Sequence, residues 1–247
     1  MPKARHPRAQ AATPPLPLAL RYLRESRDFA TGFLFILPLL VTYEVGIVVL
    51  RSGVVNWAHG LLRTVLHVFG WAEPVLFAGL VAILVVVALA RAERFRIDVE
   101  LLGLMLVESI VYASVLGLLC SFVTRRVLLM SASATGGPLL REIVLSIGAG
   151  VYEELLFRVA LFGGLWWALK RWTGMKSSAA AVMSAVVSSL VFSLCHHFGP
   201  YGDPWRVDLL VYRFWMGVAF AAIYACRGLG IAVYTHAIYD IIVTLSP

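Results

Sequence analysis

Charge is what this chain has least of. Only 14% of its 247 residues are charged, against 60% hydrophobic, where soluble domains carry about 25% charged residues. With a mean hydropathy of +0.85, the composition excludes a soluble globular fold and describes an integral membrane protein. Cysteine is scarce too. Cys120, Cys195 and Cys226 are odd in number, widely spaced and set in apolar runs, which fits small buried hydrophobes better than a disulfide framework or a metal motif. The short alternating apolar and polar segments of a membrane barrel are missing, so only helices remain as spanning elements. No internal repeat is found. Nor is there an H-E-x-x-H string for a zinc peptidase or a Gly-x-Ser elbow for a serine enzyme. "YGDP" at 201 to 204 sits in a polar connection, which argues against an intramembrane aspartate pair.

What is present is a series of apolar runs, each near the roughly 20 residues a bilayer requires. They fall at 31 to 50, 74 to 90, 101 to 123, 139 to 169, 178 to 197, 207 to 226 and 230 to 246. The expected fold class is all-α, a polytopic transmembrane bundle of six to eight membrane helices. The net charge of +7 comes from basic residues at segment ends, such as Arg21, Arg24 and Arg27, or Lys170, Arg171 and Lys176. That placement points to loops beside anionic lipid and to no nucleic acid. By the same rule the N-terminus is cytoplasmic, although Arg125 and Arg126 fall on the opposite face of this count. Heavy use of Arg, Ala and Val hints at a GC-rich bacterial genome and hence a bacterial plasma membrane.

Three regions follow. Residues 1–28 read as a basic, proline-rich, disordered tail. Residues 29–130 hold the first membrane helices and an interfacial helix near 56–70, where Trp57, Leu61, Leu62, Val65, Leu66 and Phe69 share one face and His59, Arg63 and His67 another. The small-residue break "MSASATGGP" at 130 to 138 then precedes residues 139–247, the region in which polar side chains accumulate.

Those side chains are the conspicuous feature. A charge at mid-bilayer costs about 3 kcal/mol on insertion scales, yet "GVYEELLFRVALF" at 150 to 162 carries three. Glu154 and Arg158, four apart, stack on one helix face and can pair. Glu153 lies about 100° around the helix from Glu154 and is left available for another role. Elsewhere in this region "FSLCHHFG" brings His196 and His197, with Phe192 one turn before His196, and "YTHAIYD" brings His236 and Asp240 on one face. Packed together, these helices would gather a carboxylate, two or three imidazoles and a further acid, the composition of a site that activates water. For His197 alone a satisfied core position is the better reading. Glu44 and Glu108, isolated in their spans, are read as bonding neighbouring helices or lining a water pocket.

Three of these strings carry a resemblance. "EELLFR" at 153 to 158 resembles the EExxxR motif, "FSLCH" at 192 to 196 the FxxxH motif, and "HAIYD" at 236 to 240 the HxxxN/D motif of the CPBP family, the CAAX-protease and bacteriocin-processing intramembrane proteases, also called Abi. The resemblance covers roughly residues 139 to 247 and rests on three motifs in the right order. It implies an intramembrane endopeptidase acting on a membrane-associated or C-terminally processed peptide or protein. Glu153 would be the general base on a water held with His196, with His236 and residue 240 stabilising the oxyanion and Glu154 and Arg158 orienting the site. Phe192 and His197 would line the cavity. No cofactor is favoured, although a zinc ion on Glu153, His196 and His236 is the chemical alternative. Asp240 departs from the asparagine of the family's best-studied members. Either burial near Glu153 keeps it protonated, or it orients the His236 ring. The competing class is a carrier or non-catalytic membrane protein that uses the polar cavity without cleaving anything.

Overall fold

Runs of 20 apolar residues can satisfy their backbone polar groups in lipid only by forming helices, and the computed structural model, which describes residues 18–50, 53, 55–92, 98–127, 138–198, 202 and 204–246, is helical throughout. Its elements are α1 (Leu18–Glu25), α2 (Phe29–Leu50), α3 (Trp57–Leu66), α4 (Glu73–Ala92), α5 (Val99–Val127), α6 (Leu139–Gly148), α7 (Gly163–Thr173), α8 (Ser177–Cys195), α9 (Val207–Arg227) and α10 (Leu229–Leu245). Between α6 and α7 the helix continues without a break through two π-helical segments, Ala149–Glu153 and Leu155–Phe162. Among the described residues, α2, α5, α8 and α9 are long and apolar enough to cross a membrane, and α10 is a shorter apolar helix. Their outward faces are apolar as well: Val41, Val45, Val48 and Val49 on α2, Val107, Val111 and Val115 on α5, and Val182, Val186 and Leu190 on α8 are all exposed. Such a surface suits lipid.

The innermost helix is α10, which packs against α2, α5, α6, α9 and the first π-helical segment. Gly228 starts it. Its φ of +89° lies where side chains are strained, and it allows α10 to turn straight back from the end of α9. Close approach of α10 to the acidic helix depends on Gly150: a Cβ there would stand 2.7 Å from both the backbone nitrogen and the Cβ of Ala237 and 2.8 Å from the Val233 carbonyl oxygen. On the other side α8 meets α9 through small residues, with Ser189 against Gly217 and Ser193 Oγ donating to the Leu210 carbonyl at 2.6 Å. Small residues are how membrane helices come close enough to share polar contacts.

The periphery departs from the sequence reading in three places. Leu18–Glu25, assigned to the disordered tail, forms helix α1, because Arg21 pairs with Glu25 at 3.0 Å and Asp98 at 2.9 Å and Tyr22 donates to Glu108. Burial and the adjacent Glu108 carboxylate push the Tyr22 hydroxyl up to about 12, so it remains a donor. Residues 1–17 and most of the break at 130 to 138 lie outside the described residues. His59, assigned to the polar face of the interfacial helix, is buried and stacks on Tyr152 with ring centroids 4.6 Å apart. Leu61 and Val65 face outward, and so do Arg63 and His67 from the expected polar face, so of the three polar residues only His59 turns to the protein. Finally, Cys226 is exposed and Cys195 only partly covered; neither is a buried core residue. The isolated glutamates do bond neighbouring helices: Glu108 accepts from Arg227 at 2.5 and 2.8 Å, and Glu44 accepts from Tyr152 at 2.5 Å.

The contact at Gly150 makes a direct prediction. Replacing Gly150 by valine overpacks the α10 interface and is expected to lower stability by about 2–3 kcal/mol, seen as a lower unfolding midpoint in detergent. An unchanged midpoint would show that this glycine does not set the spacing of the two helices.

Candidate active site

The helix that carries the acids is wider than an α-helix where it matters. Its π-helical segments flank Glu154, and such insertions re-aim the side chains that follow and recur at functional sites. Here they turn Glu153, Glu154 and Arg158 inward, with relative exposures of 6%, 0% and 0%. The bundle brings α8 and α10 against the same stretch.

Glu154 joins two elements. Its Oε2 lies 3.2 Å from Arg158 Nε, both side chains fully buried, and its Oε1 is 2.8 Å from His236 Nδ1. The Arg158 guanidinium also stands over the Phe192 ring at 4.9 Å and the Phe220 ring at 5.8 Å, where the aromatic faces offer a buried cation further stabilisation. His236 is thereby clamped: Glu154 holds Nδ1, and Phe220 stacks on the ring at 4.3 Å with an interplanar angle of 16°.

Glu153 points the other way. Its Oε1 accepts from Asn56 Nδ2 at 2.9 Å, while Oε2 stands 3.7 Å from His196 Nε2 and 3.9 Å from His236 Nε2. That oxygen is buried and has no hydrogen-bond partner among the described residues. His196 is oriented by its own helix, its Nδ1 being 2.8 Å from the Phe192 carbonyl oxygen, so Nδ1 donates there and Nε2 faces Glu153. Phe192 braces the same ring at 4.5 Å. Asp240 approaches from the far side, with Oδ2 at 3.5 Å from His236 Nε2.

The six acidic and basic residues that the resemblance puts in the site, Glu153, Glu154, Arg158, His196, His236 and Asp240, therefore meet, and Phe192 lies among them. His197 is turned elsewhere: it is buried and stacks on Trp205 at 5.0 Å. One expectation about Asp240 changes: its side chain is 25% exposed, so it sits at the margin of the site and not in a sealed interior, while its Oδ2 stays beside Nε2 of the His236 ring whose Nδ1 meets Glu154. Asn56 and Phe220 were not foreseen. The only signal at Asn56 was a good helix-capping residue ahead of an amphipathic stretch, which says nothing about a glutamate 97 residues away.

A tetrahedral zinc ion with bonds of about 2.0–2.1 Å sets its ligand atoms about 3.3 Å apart. Glu153 Oε2 is farther than that from both imidazole nitrogens, at 3.7 and 3.9 Å. Among the described residues no group of three or more His, Cys, Asp or Glu side chains is arranged to hold a metal ion. No step below runs through a metal ion.

Comparison with curated proteins and with solved structures returned no match. A family model did match, described as Type II CAAX prenyl endopeptidase Rce1-like, over residues 135–242. The part of this chain that contains all six converging acids and bases is thus similar to the Rce1-like family of type II CAAX prenyl endopeptidases.

Proposed function

We propose that the chain is an intramembrane endopeptidase of the CAAX type that hydrolyses a peptide bond with Glu153 as general base and without a metal. One observation carries this reading. A buried carboxylate oxygen that lacks a hydrogen-bond partner among the described residues faces the Nε2 atoms of two histidines at 3.7 and 3.9 Å. Separations of that size suit a bridging water better than a direct contact. The family match over residues 135–242 supports the general class, a CAAX-type endopeptidase.

In the proposed reaction a water held between Glu153 Oε2 and His196 Nε2 gives a proton to Glu153 as its oxygen attacks the scissile carbonyl carbon. The carbonyl π-electrons move to oxygen, forming a tetrahedral oxyanion. Glu153 then returns the proton to the leaving nitrogen as the C–N bond breaks, and a carboxylic acid and an amine result. His236 faces the site with Nε2 and gives Nδ1 to Glu154, so it can donate to the oxyanion only as an imidazolium. Glu154 supplies that charged form with a counter-charge at 2.8 Å. Arg158 in turn offsets Glu154, which keeps this acid available to His236 and leaves Glu153 to the water. A substrate tethered to the bilayer meets a site whose surrounding surface is already lipid-facing, consistent with a membrane-associated or C-terminally processed peptide or protein.

The test is peptide cleavage by the purified protein in detergent. Removing the general base in Glu153→Gln is expected to lower kcat about 10³-fold, and His196→Ala about 10²-fold, with activity spared by a chelator. Loss of cleavage on chelation would overturn the metal-free account, and full activity in Glu153→Gln would remove Glu153 as the base. Asp240 gives a second comparison. A neutral amide at this position can donate to an oxyanion, so Asp240→Asn is expected to stay within about threefold of the parent, while Asp240→Ala loses about tenfold. Equal loss in the two variants would show that residue 240 does not serve as a donor.

A further inference from the structure

Glu153 is held from outside the region that matches the family. Asn56 precedes α3 and serves as its N-cap: its Oδ1 accepts from the Ala58 backbone N–H at 2.9 Å. With that oxygen committed, the orientation of the amide is settled, and Nδ2 must be the atom that meets Glu153 Oε1 at 2.9 Å. The main chain of Asn56 is fastened as well. Its N–H donates to the Tyr43 hydroxyl at 3.0 Å, and the same hydroxyl lies 3.0 Å from His59 Nδ1.

The fastening reaches back to the acidic helix. Tyr43 is fully buried and lies flat against Gly148, where a Cβ would come within 2.1 Å of its ring. Two further contacts hold the first turn of α3 just after Asn56: Trp57 stacks on Phe157 at 6.4 Å with an 8° interplanar angle, and His59 stacks on Tyr152 at 4.6 Å. Both partners belong to the helix that bears Glu153. The amide of Asn56 thus has one place to be, and Glu153 has one oxygen left to present to His196 and His236.

We propose that Asn56 is a positioning residue for the reaction: it holds Glu153 Oε1 so that Oε2 alone faces the water and takes its proton. This rests on Glu153 being the base. A carboxylate with both oxygens free would rotate between orientations and spend part of its time with neither oxygen between the histidines. A single charge-assisted hydrogen bond from a fixed amide removes that freedom.

Serine caps helices as well as asparagine does but has no amide to reach Glu153, so Asn56→Ser separates the two roles, and Asn56→Ala removes both. In cleavage assays Asn56→Ser and Asn56→Ala are both expected to lose about tenfold in kcat with KM within about twofold, the scale of one hydrogen bond to a charged group. Normal kcat in Asn56→Ser with a loss only in Asn56→Ala would mean that the residue merely caps α3, and would overturn the proposal. A second readout does not depend on cleavage. Labelling of Glu153 by dicyclohexylcarbodiimide, followed by peptide-mapping mass spectrometry, is expected to run at least about threefold faster in Asn56→Ser, because the carboxyl loses the donor that holds it as carboxylate. An unchanged labelling rate overturns the proposal whether or not a peptide is cut. Full activity in Glu153→Gln would instead count against Glu153 as base, and the labelling comparison would still decide what Asn56 does to it.

Discussion

The contact between Glu154 and Arg158 is the one on which the rest of the site depends. Both side chains are inaccessible to solvent, and neither charge could remain there alone at acceptable cost. Together they still leave one carboxylate oxygen to spend, and that oxygen meets His236. Two membrane helices are thereby joined by polar contacts inside an apolar bundle, and the imidazole they fix is the one nearest Asp240. Phe192 and Phe220 close over the guanidinium, so the same aromatic pair shields the cation and supports the histidine rings. Removing either Glu154 or Arg158 leaves the other charge buried without its ion-pair partner.

Adjacent glutamates with opposite duties are an economical consequence of helix geometry. Successive side chains diverge by about 100°, so Glu154 faces the structural pair and Glu153 the histidines. The π-helical segments adjust this division, and Gly150 lets α10 press close enough to use it. Around this centre the architecture is ordinary for lipid: small residues between helices and valine and leucine outside.

Helix content, the number of apolar runs and the Glu154 to Arg158 pairing could all be read directly, because each depends on local spacing alone. The three motif strings also named the side chains that converge. Other features were hidden for identifiable reasons. A π-helical turn leaves no periodic trace in segments of only five to eight residues. Leu18–Glu25 was lost in a proline-rich tail because its stability comes from Asp98 and Glu108, more than 70 residues on. His59 shares a helix with exposed residues, and only the tertiary contact with Tyr43 and Tyr152 shows which way it faces. Asn56 caps α3, and its second contact reaches Glu153, 97 residues on and in the other half of the chain.

The clamp between Glu108 and Arg227 bears on how the molecule is made. Glu108 enters the bilayer in α5, and the arginine that neutralises it lies 119 residues later in the chain. At translation rates of about 5–20 residues per second, that interval is about 6–24 s. For that time the nascent protein holds an acid in α5 whose final partner does not yet exist, with only Tyr22 and its own helix to contact it. The polar tie between α5 and α9 can therefore close only after α9 has been made.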